Sequence, residues 1–123
     1  MKLRFRQNSL RLRVNRREVE GLAAGAILKE QIHFPGNVRF VYMLESSPDR
    51  TPGASFENGV IRVRAPEQQL RRWAASEEIG IYFELSGNGT SLRIAIEKDL
   101  ECVDGPSEEQ DPHAYPRVLS KNC

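Results

Sequence analysis

The stretch Phe5-Arg6-Gln7-Asn8-Ser9-Leu10-Arg11-Leu12-Arg13-Val14 decides the fold. Apolar and basic residues alternate on both sides of a polar segment, Gln7-Asn8-Ser9, and this period of two is typical of β-strands. We therefore predict a β-hairpin with one apolar face and one arginine face. The apolar face carries Leu3, Phe5, Leu10, Leu12 and Val14, and the other face carries mostly Arg4, Arg6, Arg11 and Arg13.

The segment after this hairpin predicts a short helix and a second hairpin. Asn15 is a helix-capping residue, and Glu18 follows it at the spacing of a capping box. The helix has an apolar stripe of Val19, Leu22 and Ala23 and ends near Gly25. Strands are expected over 27–34 and 38–45, separated by a turn at 35–37. The residues expected to face inward are Leu28, Ile32, Phe34, Val38, Phe40, Tyr42 and Leu44.

The second half of the chain follows the same order. A hairpin over 54–64 turns at Asn58-Gly59, which is a strong hairpin signal. Pro66 suits the first turn of a helix, whose apolar stripe is Leu70, Trp73 and Ala74. Two more strands follow, with a turn over 86–90. Their inward residues are expected to be Ile79, Ile81, Phe83, Leu85, Leu92, Ile94 and Ile96.

The two halves are related as an internal repeat. Residues 5–37 aligned with 56–88 share seven identities in thirty-three positions, whereas chance at average composition gives about two. A single unit of about 45 residues is too small to bury both hairpins and a helix. We therefore predict a strand-rich α+β domain of two tandem hairpin–helix–hairpin units, 1–46 and 54–99, joined by the linker 47–53. The two units are expected to pack about a pseudo-twofold axis as a small barrel.

Charge is distributed unevenly along the 123 residues, although the net charge is only +1. Residues 1–46 carry a net charge of +5, residues 47–99 carry −1, and residues 100–123 carry −3. The last segment is acidic and contains prolines, so we predict an extended or partly disordered tail. Residues 1–6 lack an apolar h-region, so no secretory signal is expected. No apolar run approaches the ~20 residues of a membrane helix. Cys102 and Cys123 do not make a disulfide framework, and a cytoplasmic protein with free thiols is expected.

Two resemblances extend these predictions. Asn8-Ser9-Leu10-Arg11-Leu12-Arg13 stands where MazE-type antitoxins carry Gly-Asn-Ser and a basic strand. Val63-Arg64-Ala65-Pro66, with Leu70, is similar to the Val-x-Ile-Pro and helix of the same proteins. The chain thus resembles the AbrB/MazE swapped-hairpin family over most of 3–45 and more weakly over 56–97. Members usually form intertwined dimers, and MraZ-type proteins carry two copies in one chain. The resemblance therefore implies a DNA-binding regulator or antitoxin-like protein that is a monomeric pseudo-dimer or a homodimer.

This chain departs from the swapped-hairpin pattern at three places. Gln7 replaces a glycine, Asn15 replaces the proline before the first helix, and Glu57-Asn58-Gly59 replaces the Asn-Ser element in the second copy. The whole chain also resembles, more closely, a group of small uncharacterised bacterial proteins. The shared elements are the opening Met-Lys-Leu-Arg, the Asn-Ser-Leu-Arg-Leu-Arg run, the segment 97–102 and a tail like Ala114-Tyr115-Pro116. This second resemblance implies no activity.

Nucleic-acid binding is the leading functional interpretation, with double-stranded DNA as the partner. A two-stranded basic ribbon can enter a major groove, and arginines near a helix start can contact phosphates. The residues predicted to bind nucleic acid are Arg4, Arg6, Asn8, Arg11, Arg13, Arg16 and Arg17. The alternative is a solvated arginine face without a ligand, since the net charge is far below that of most DNA-binding domains.

A non-enzymatic protein-interaction domain is the second interpretation. The acidic tail, residues 101–115, would fold on a basic protein partner or lie on the basic hairpin of its own chain. A tail that only keeps the protein soluble is the alternative. No metal site and no cofactor is predicted, because His33, Cys102, Asp104, His113 and Cys123 lack the spacing of metal ligands.

The remaining acidic and aromatic residues are assigned structural roles. Glu97 and Asp99 share one strand face and are expected to pair with Arg39 or Arg62 on a neighbouring strand. They lack a supporting nucleophile or histidine, so no enzyme is predicted. Stacking platforms for single-stranded nucleic acid require exposed aromatic rings beside basic residues. The aromatic residues are expected in the core instead, namely Phe5, Phe56, Trp73, Tyr82 and Phe83.

Overall fold

The computed structural model describes residues 1–100 together with His113 and Tyr115. This part of the chain contains eight strands and two short helices. The strands are β1 (Lys2–Phe5), β2 (Ser9–Val14), β3 (Leu28–Phe34), β4 (Val38–Ser47), β5 (Gly53–Glu57), β6 (Val60–Pro66), β7 (Gly80–Gly87) and β8 (Thr90–Lys98). The helices are α1 (Arg16–Ala23) and α2 (Glu67–Ala74). The protein is therefore a strand-rich α+β protein in which the order hairpin, helix, hairpin occurs twice.

Local sequence signals account for the ends of these elements. The capping box at α1 is complete: the Glu18 amide donates to Asn15 Oδ1 at 2.9 Å, and the Asn15 amide donates to Glu18 Oε1 at 2.9 Å. Two of the four orphan amide groups of the helix start are satisfied in such arrangements. At the turn between β5 and β6, Asn58 and Gly59 have positive φ angles of 52° and 75°. Both residue types tolerate the left-handed region, so this turn forms without strain.

Each sheet combines one hairpin from each half of the chain. The first sheet has the strand order β1-β2-β8-β7, and the second sheet has the order β3-β4-β6-β5. The hairpins are antiparallel, and each sheet is joined at its centre by one parallel contact, β2 with β8 or β4 with β6. The N-terminal hairpin of one repeat therefore pairs with the C-terminal hairpin of the other repeat.

The predicted small barrel is not what the described residues form. They make two open sheets, with β1 and β7 at the edges of the first and β3 and β5 at the edges of the second. Closing a barrel requires every edge strand to hydrogen-bond to another strand. Here the central strands hydrogen-bond on both sides within their own sheet, because hairpins of different repeats pair. The two sheets therefore pack together through side chains and not through backbone hydrogen bonds.

The core lies between the inner faces of the two sheets and the two helices. Leu12 and Val14 from the first sheet, Leu44 and Val63 from the second, and Trp73 from α2 are all almost inaccessible to solvent. The helices contact each other and contribute the predicted stripe residues to this core, namely Val19, Leu22, Leu70 and Trp73. Burial of large apolar side chains on this scale is the main stabilising contribution to the fold.

Several residues that were expected in the core are exposed. Phe5, Phe56 and Tyr82 are 62%, 67% and 60% accessible, so their assignment to the core is wrong, whereas Trp73 is buried as predicted. The other expected inward residues that are exposed are Ile32, Phe34, Val38 and Ile79. Alternation along a strand shows which face a residue occupies but not how far the opposite sheet extends. Phe5, Phe56 and the tip of the β3–β4 hairpin lie beyond that extent.

The described part of the C-terminal segment contacts the helix end of the molecule. Tyr115 pairs with Leu100 in a single parallel bridge, and its amide donates to the Asp99 carbonyl at 2.7 Å. The Arg16 amide donates to the His113 carbonyl at 2.8 Å. The prediction of an extended or disordered tail falls mostly on residues outside the described ones, as do the roles considered for Cys102, Asp104 and Cys123.

Candidate nucleic-acid interface

The outer face of the first sheet collects basic residues from its first three strands. In the β1–β2 hairpin, Arg4 lies opposite Arg11 and Lys2 lies opposite Arg13. Directly opposed residues in an antiparallel pair point to the same face, so these four side chains share one surface. Their apolar neighbours, including Leu10 and Leu12, point to the core. The predicted separation of an apolar and an arginine face in this hairpin is confirmed.

The parallel contact between β2 and β8 extends this face with residues from the end of the domain. Ser9 lies opposite Arg93, and Arg11 lies opposite Ala95. On the next strand, Glu84 lies opposite Arg93 and Tyr82 lies opposite Ala95. Sequence reasoning missed Arg93 and Tyr82 as candidate site residues. About 80 residues separate them from β1 and β2 in the chain, and no local pattern encodes a parallel register over that distance.

Glu97 is the central anion of this face. Its Oε1 lies 3.2 Å from Arg11 Nε and 3.9 Å from Arg13 Nε. Asp99, which is buried, pairs instead with Lys2 at 2.9 Å. The expected pairing of Glu97 and Asp99 with Arg39 or Arg62 is wrong. Strand β8 lies beside β2 rather than beside β4 or β6, so the basic residues within reach are those of the first hairpin.

Tyr82 is on β7, and its hydroxyl group is held by a hydrogen bond to the neighbouring strand β8. The Tyr82 hydroxyl donates to Glu97 Oε2 at 2.9 Å. A Cβ atom on Gly80 would lie 2.8 Å from that hydroxyl oxygen, so the ring reaches over a position where only glycine leaves enough space. Partial burial, and then the hydrogen bond and negative charge of Glu97, raise the pKa of Tyr82 above its usual value of 10.0. At neutral pH the phenol is therefore protonated and remains a donor to Glu97.

A shallow depression of about 620 Å³ lies on this face. Ala95 is in its floor, and Arg11 and Tyr82 stand on the two strands that flank Ala95. Arg6, Arg93 and Glu84 line the same depression. Glu84 already accepts a hydrogen bond from the Ser91 hydroxyl at 2.7 Å. We refer to this depression as the Ala95 groove.

The remaining residues predicted to bind nucleic acid lie in two other places. Asn8 is in the β1–β2 turn. Its side-chain amide donates to the Ser91 carbonyl at 2.6 Å, and its backbone carbonyl accepts from the Arg93 amide at 3.2 Å. These bonds attach the turn to β8. Arg16 and Arg17 are at the start of α1, at the far end of β2 from Asn8. The structure therefore brings together Arg4, Arg6, Arg11 and Arg13 but not the arginines of the helix.

Arg16 takes part in an aromatic cluster at the helix end. Its guanidinium lies 5.3 Å from the centre of the Tyr115 ring, and Lys98 Nζ lies 5.3 Å from the same ring. Lys98 also lies over Trp73 and donates to the Ser76 carbonyl at 2.6 Å. Burial lowers the pKa of Lys98, because the charged amine is poorly solvated there. This cluster attaches the described part of the C-terminal segment to the domain.

Other site classes have little support in the described part of the chain. No group of three or more His, Cys, Asp or Glu side chains is arranged there to hold a metal ion. His33 is exposed on β3. Neither of the helices in this part is long and apolar enough to cross a membrane.

Comparison with known proteins gives a family for this chain but no function. No curated protein and no solved structure matches the sequence. A family model described as a family of unknown function, DUF7009, matches residues 1–118. This match agrees with the resemblance to uncharacterised proteins and lends no support to kinship with the AbrB/MazE proteins. Since the model covers nearly the whole chain, the protein belongs to the DUF7009 family.

Proposed function

We propose that this protein binds nucleic acid through the outer face of its first sheet. The single observation that carries the proposal is the convergence of Lys2, Arg4, Arg11, Arg13 and Arg93 on one face, from three adjacent strands. Among the described residues, the acidic side chains that oppose them in the ion pairs and strand positions of this face are Glu84, Glu97 and Asp99. Clusters of arginine and lysine on one surface are the electrostatic requirement for phosphate binding.

A role in regulation as a swapped-hairpin protein is part of the same proposal. The exchange of hairpins between the two repeats supports it, since each sheet contains one hairpin from each half. In this proposal one chain supplies both of the paired hairpins that two separate chains supply in an intertwined dimer. A DNA-bound regulator would then present its basic sheet face as a monomeric pseudo-dimer.

The test measures binding of the full chain to a labelled oligonucleotide, as a single strand and as a duplex, over a range of salt concentrations. The double variant Arg11→Ala/Arg13→Ala removes two cations from the proposed surface. Arg62→Ala/Arg64→Ala removes the aligned pair from the second sheet and is the matched control. We expect the first variant to bind about tenfold or more weakly, with a shallower salt dependence, and the control to bind within about twofold of wild type.

Two results would overturn this proposal. One is wild-type protein that binds neither oligonucleotide at low salt. The other is equal weakening by both double variants, because equal effects would mean that only the overall charge matters and that the outer face of the first sheet is not the binding surface.

Self-association is a second candidate function, and we propose it from a separate observation. At the end of the sheets away from the helices, Phe5, Phe40, Phe56 and Leu92 line an apolar cavity of about 400 Å³. Phe5 and Phe56 are equivalent in the two repeats, so each half of the chain contributes an exposed ring to this end. A twofold contact sets the same patch of each copy against the other, and an apolar patch of this kind can pack against itself. Light scattering should show a dimer that Phe5→Ser/Phe56→Ser converts to a monomer. A monomeric wild type at high concentration would exclude it.

A further inference from the structure

We infer that the ligand of the Ala95 groove is a single-stranded nucleic acid, with one unpaired base stacked on Tyr82. This inference rests on the proposed function and adds the class of nucleic acid and the residue that recognises it. Tyr82 is 60% accessible on the outer face, although its strand neighbours Ile81 and Phe83 point to the core. An aromatic ring on a solvent-exposed sheet face, beside arginines, is the arrangement that binds unpaired bases in single-strand binding proteins.

The ring of Tyr82 is held in place before any ligand binds. Its hydroxyl donates to Glu97, and the space above Gly80 accepts the end of the ring. Glu97 is itself held by Arg11 and Arg13. A side chain fixed in this way loses little conformational freedom on binding, which favours its use as a stacking surface.

The groove beside the ring has the size and charge for a nucleotide. Arg11 stands two strands from Tyr82, about 10 Å away between backbones. Ala95 lies between them and leaves the space open. Arg93 is on the same face of β8, two residues from Ala95, and Arg6 is at the end of the groove. Both Arg11 and Arg93 lie on the β8 and β2 side of Tyr82, where they would neutralise the phosphates that adjoin a base on the ring.

The shape of the face favours a single strand over a duplex. A major groove about 12 Å wide admits a helix or a two-stranded ribbon. Arg11 and Arg13 are on β2, which has β1 on one side and β8 on the other within a four-stranded sheet. The backbones of four strands span about 14 Å before side chains are added, so this surface is too wide to enter the groove. In a duplex, moreover, the bases stack on one another and present no free face to Tyr82.

The test uses the full chain and fluorescently labelled single strands of about 12 nucleotides, a length within the range that single-strand binding folds occupy. DNA and RNA strands of one mixed sequence are compared with a blunt duplex of that sequence and with an abasic strand. Fluorescence anisotropy at low salt measures the affinities. We expect wild type to bind the single strands more tightly than the duplex.

Substitutions at Tyr82 separate stacking from charge. We expect Tyr82→Ala to bind the base-containing strands about tenfold more weakly and Tyr82→Phe to bind within about twofold of wild type. On the abasic strand, wild type and Tyr82→Ala should bind equally, because no base is left to stack. Phe34→Ala removes a comparably exposed ring on β3, in the other sheet and outside the groove, and should change nothing.

The outcomes distinguish this inference from the proposed function. If wild type binds strands in a salt-dependent way but Tyr82→Ala binds them as tightly, or if the duplex is preferred, the stacking inference fails and the basic face remains a phosphate-binding surface. If wild type binds none of the strands, both fail. Melting curves of the variants show whether Tyr82→Ala is folded. If it is not, two other measurements decide. An unchanged affinity in Tyr82→Phe, together with quenching of the tyrosine fluorescence of wild type by base-containing strands but not by the abasic strand, supports stacking. Equal quenching of wild type by both kinds of strand overturns it.

Discussion

The outer faces of the two sheets have the same framework but carry different side chains. On the first sheet Arg11 Nε lies 3.2 Å from Glu97 Oε1, and on the second Arg62 Nε lies 3.6 Å from Glu45 Oε1. Arg11 and Arg62 are aligned in the internal repeat, and each is in the central parallel pair of its sheet. The recurrence of this ion pair on both faces indicates that it belongs to the architecture of the repeat.

The two faces differ in the row of residues that crosses each sheet at these arginines. In the first sheet the row is Arg4, Arg11, Ala95 and Tyr82, and in the second it is Ser55, Arg62, Met43 and Lys29. Met43 stands where the first sheet has Ala95, and the Arg62 guanidinium lies 4.0 Å from its sulfur. In the neighbouring row, Val41 stands where the first sheet has Arg93.

This difference indicates which of the two outer faces is open to a ligand. On the second sheet the central strand β4 carries Met43 and Val41 at these positions, whereas on the first sheet the central strand β8 carries the small Ala95 and Arg93, with Tyr82 beside Ala95 on β7. What the two faces share is explained by the fold. What only the first face has is not required by the fold, and it is this set of residues to which we assign a ligand.

The largest effect is expected in the core, where the two sheets should behave alike. Leu12 and Val63 are aligned in the repeat and are both fully buried. Leu12→Ala should lower the free energy of unfolding by about 3 kcal/mol and Val63→Ala by about 2 kcal/mol, because each leaves a cavity. Denaturant unfolding measures both changes.

Phe34→Ala and Val38→Ala are the controls for the core variants. Both side chains are largely exposed and lie outside the proposed self-association surface, so each substitution should change the free energy of unfolding by about 0.5 kcal/mol or less. A stable Leu12→Ala variant beside an unfolded Val63→Ala variant would contradict the structural equivalence of the two sheets.

A smaller effect is expected at Gly80, which is specific to the first face. Alanine there would bring Cβ within 2.9 Å of the Ile96 carbonyl oxygen and of Glu97 Cγ, as well as against the Tyr82 hydroxyl. We expect Gly80→Ala to displace Tyr82 and to weaken single-strand binding several-fold, about as much as one lost stacking contact. Anisotropy titrations measure it.

Gly87 is the matched control on the same strand. A Cβ atom added there would meet no atom within 4 Å, and its φ angle is outside the left-handed region. Gly87→Ala should therefore leave both stability and binding close to wild type. Equal weakening by Gly80→Ala and Gly87→Ala would mean that the position of Tyr82 does not matter for binding.

The smallest effect is expected from the acidic partner of the recurring ion pair. Glu97→Gln keeps a hydrogen-bond acceptor for Tyr82 but removes a negative charge beside Arg11 and Arg13. We expect binding to strengthen about two- to threefold at low salt, because less charge opposes the phosphates, and the gain to vanish at high salt.

Glu45→Gln makes the same change on the second face, beside Arg62. It should leave binding unchanged, and salt titrations of the two variants in parallel measure the contrast. If Glu45→Gln strengthened binding as much as Glu97→Gln, the ligand would respond to total charge, and the distinction between the two faces would be lost.

Much of the local structure was predictable from the sequence. The alternation over 5–14 identified the first hairpin and its two faces, and Asn15 with Glu18 located the start of α1. The dipeptide Asn58-Gly59 located the second hairpin turn. These signals are local, since strand period, capping and turn preferences each depend on residues a few positions apart.

The candidate site was only partly predictable. Arg4, Arg6, Arg11 and Arg13 were visible as one alternating basic run, but Arg93 and Tyr82 belong to strands whose neighbours the sequence does not specify. Tyr82 was assigned to the core because its strand is rich in apolar residues. Its exposure follows from the register of β7, in which Ile81 and Phe83 face inward.

The amino-acid sequence by itself determined the elements of this protein, their order and the basic character of the first hairpin. Only the tertiary structure decided that the hairpins pair across the repeats, that two sheets form in place of a barrel, and that Tyr82 and Arg93 join the arginines of β2. The physical reason is that periodicity and capping act over a few residues, whereas the choice of a strand partner depends on the joint burial of apolar faces far apart in the chain.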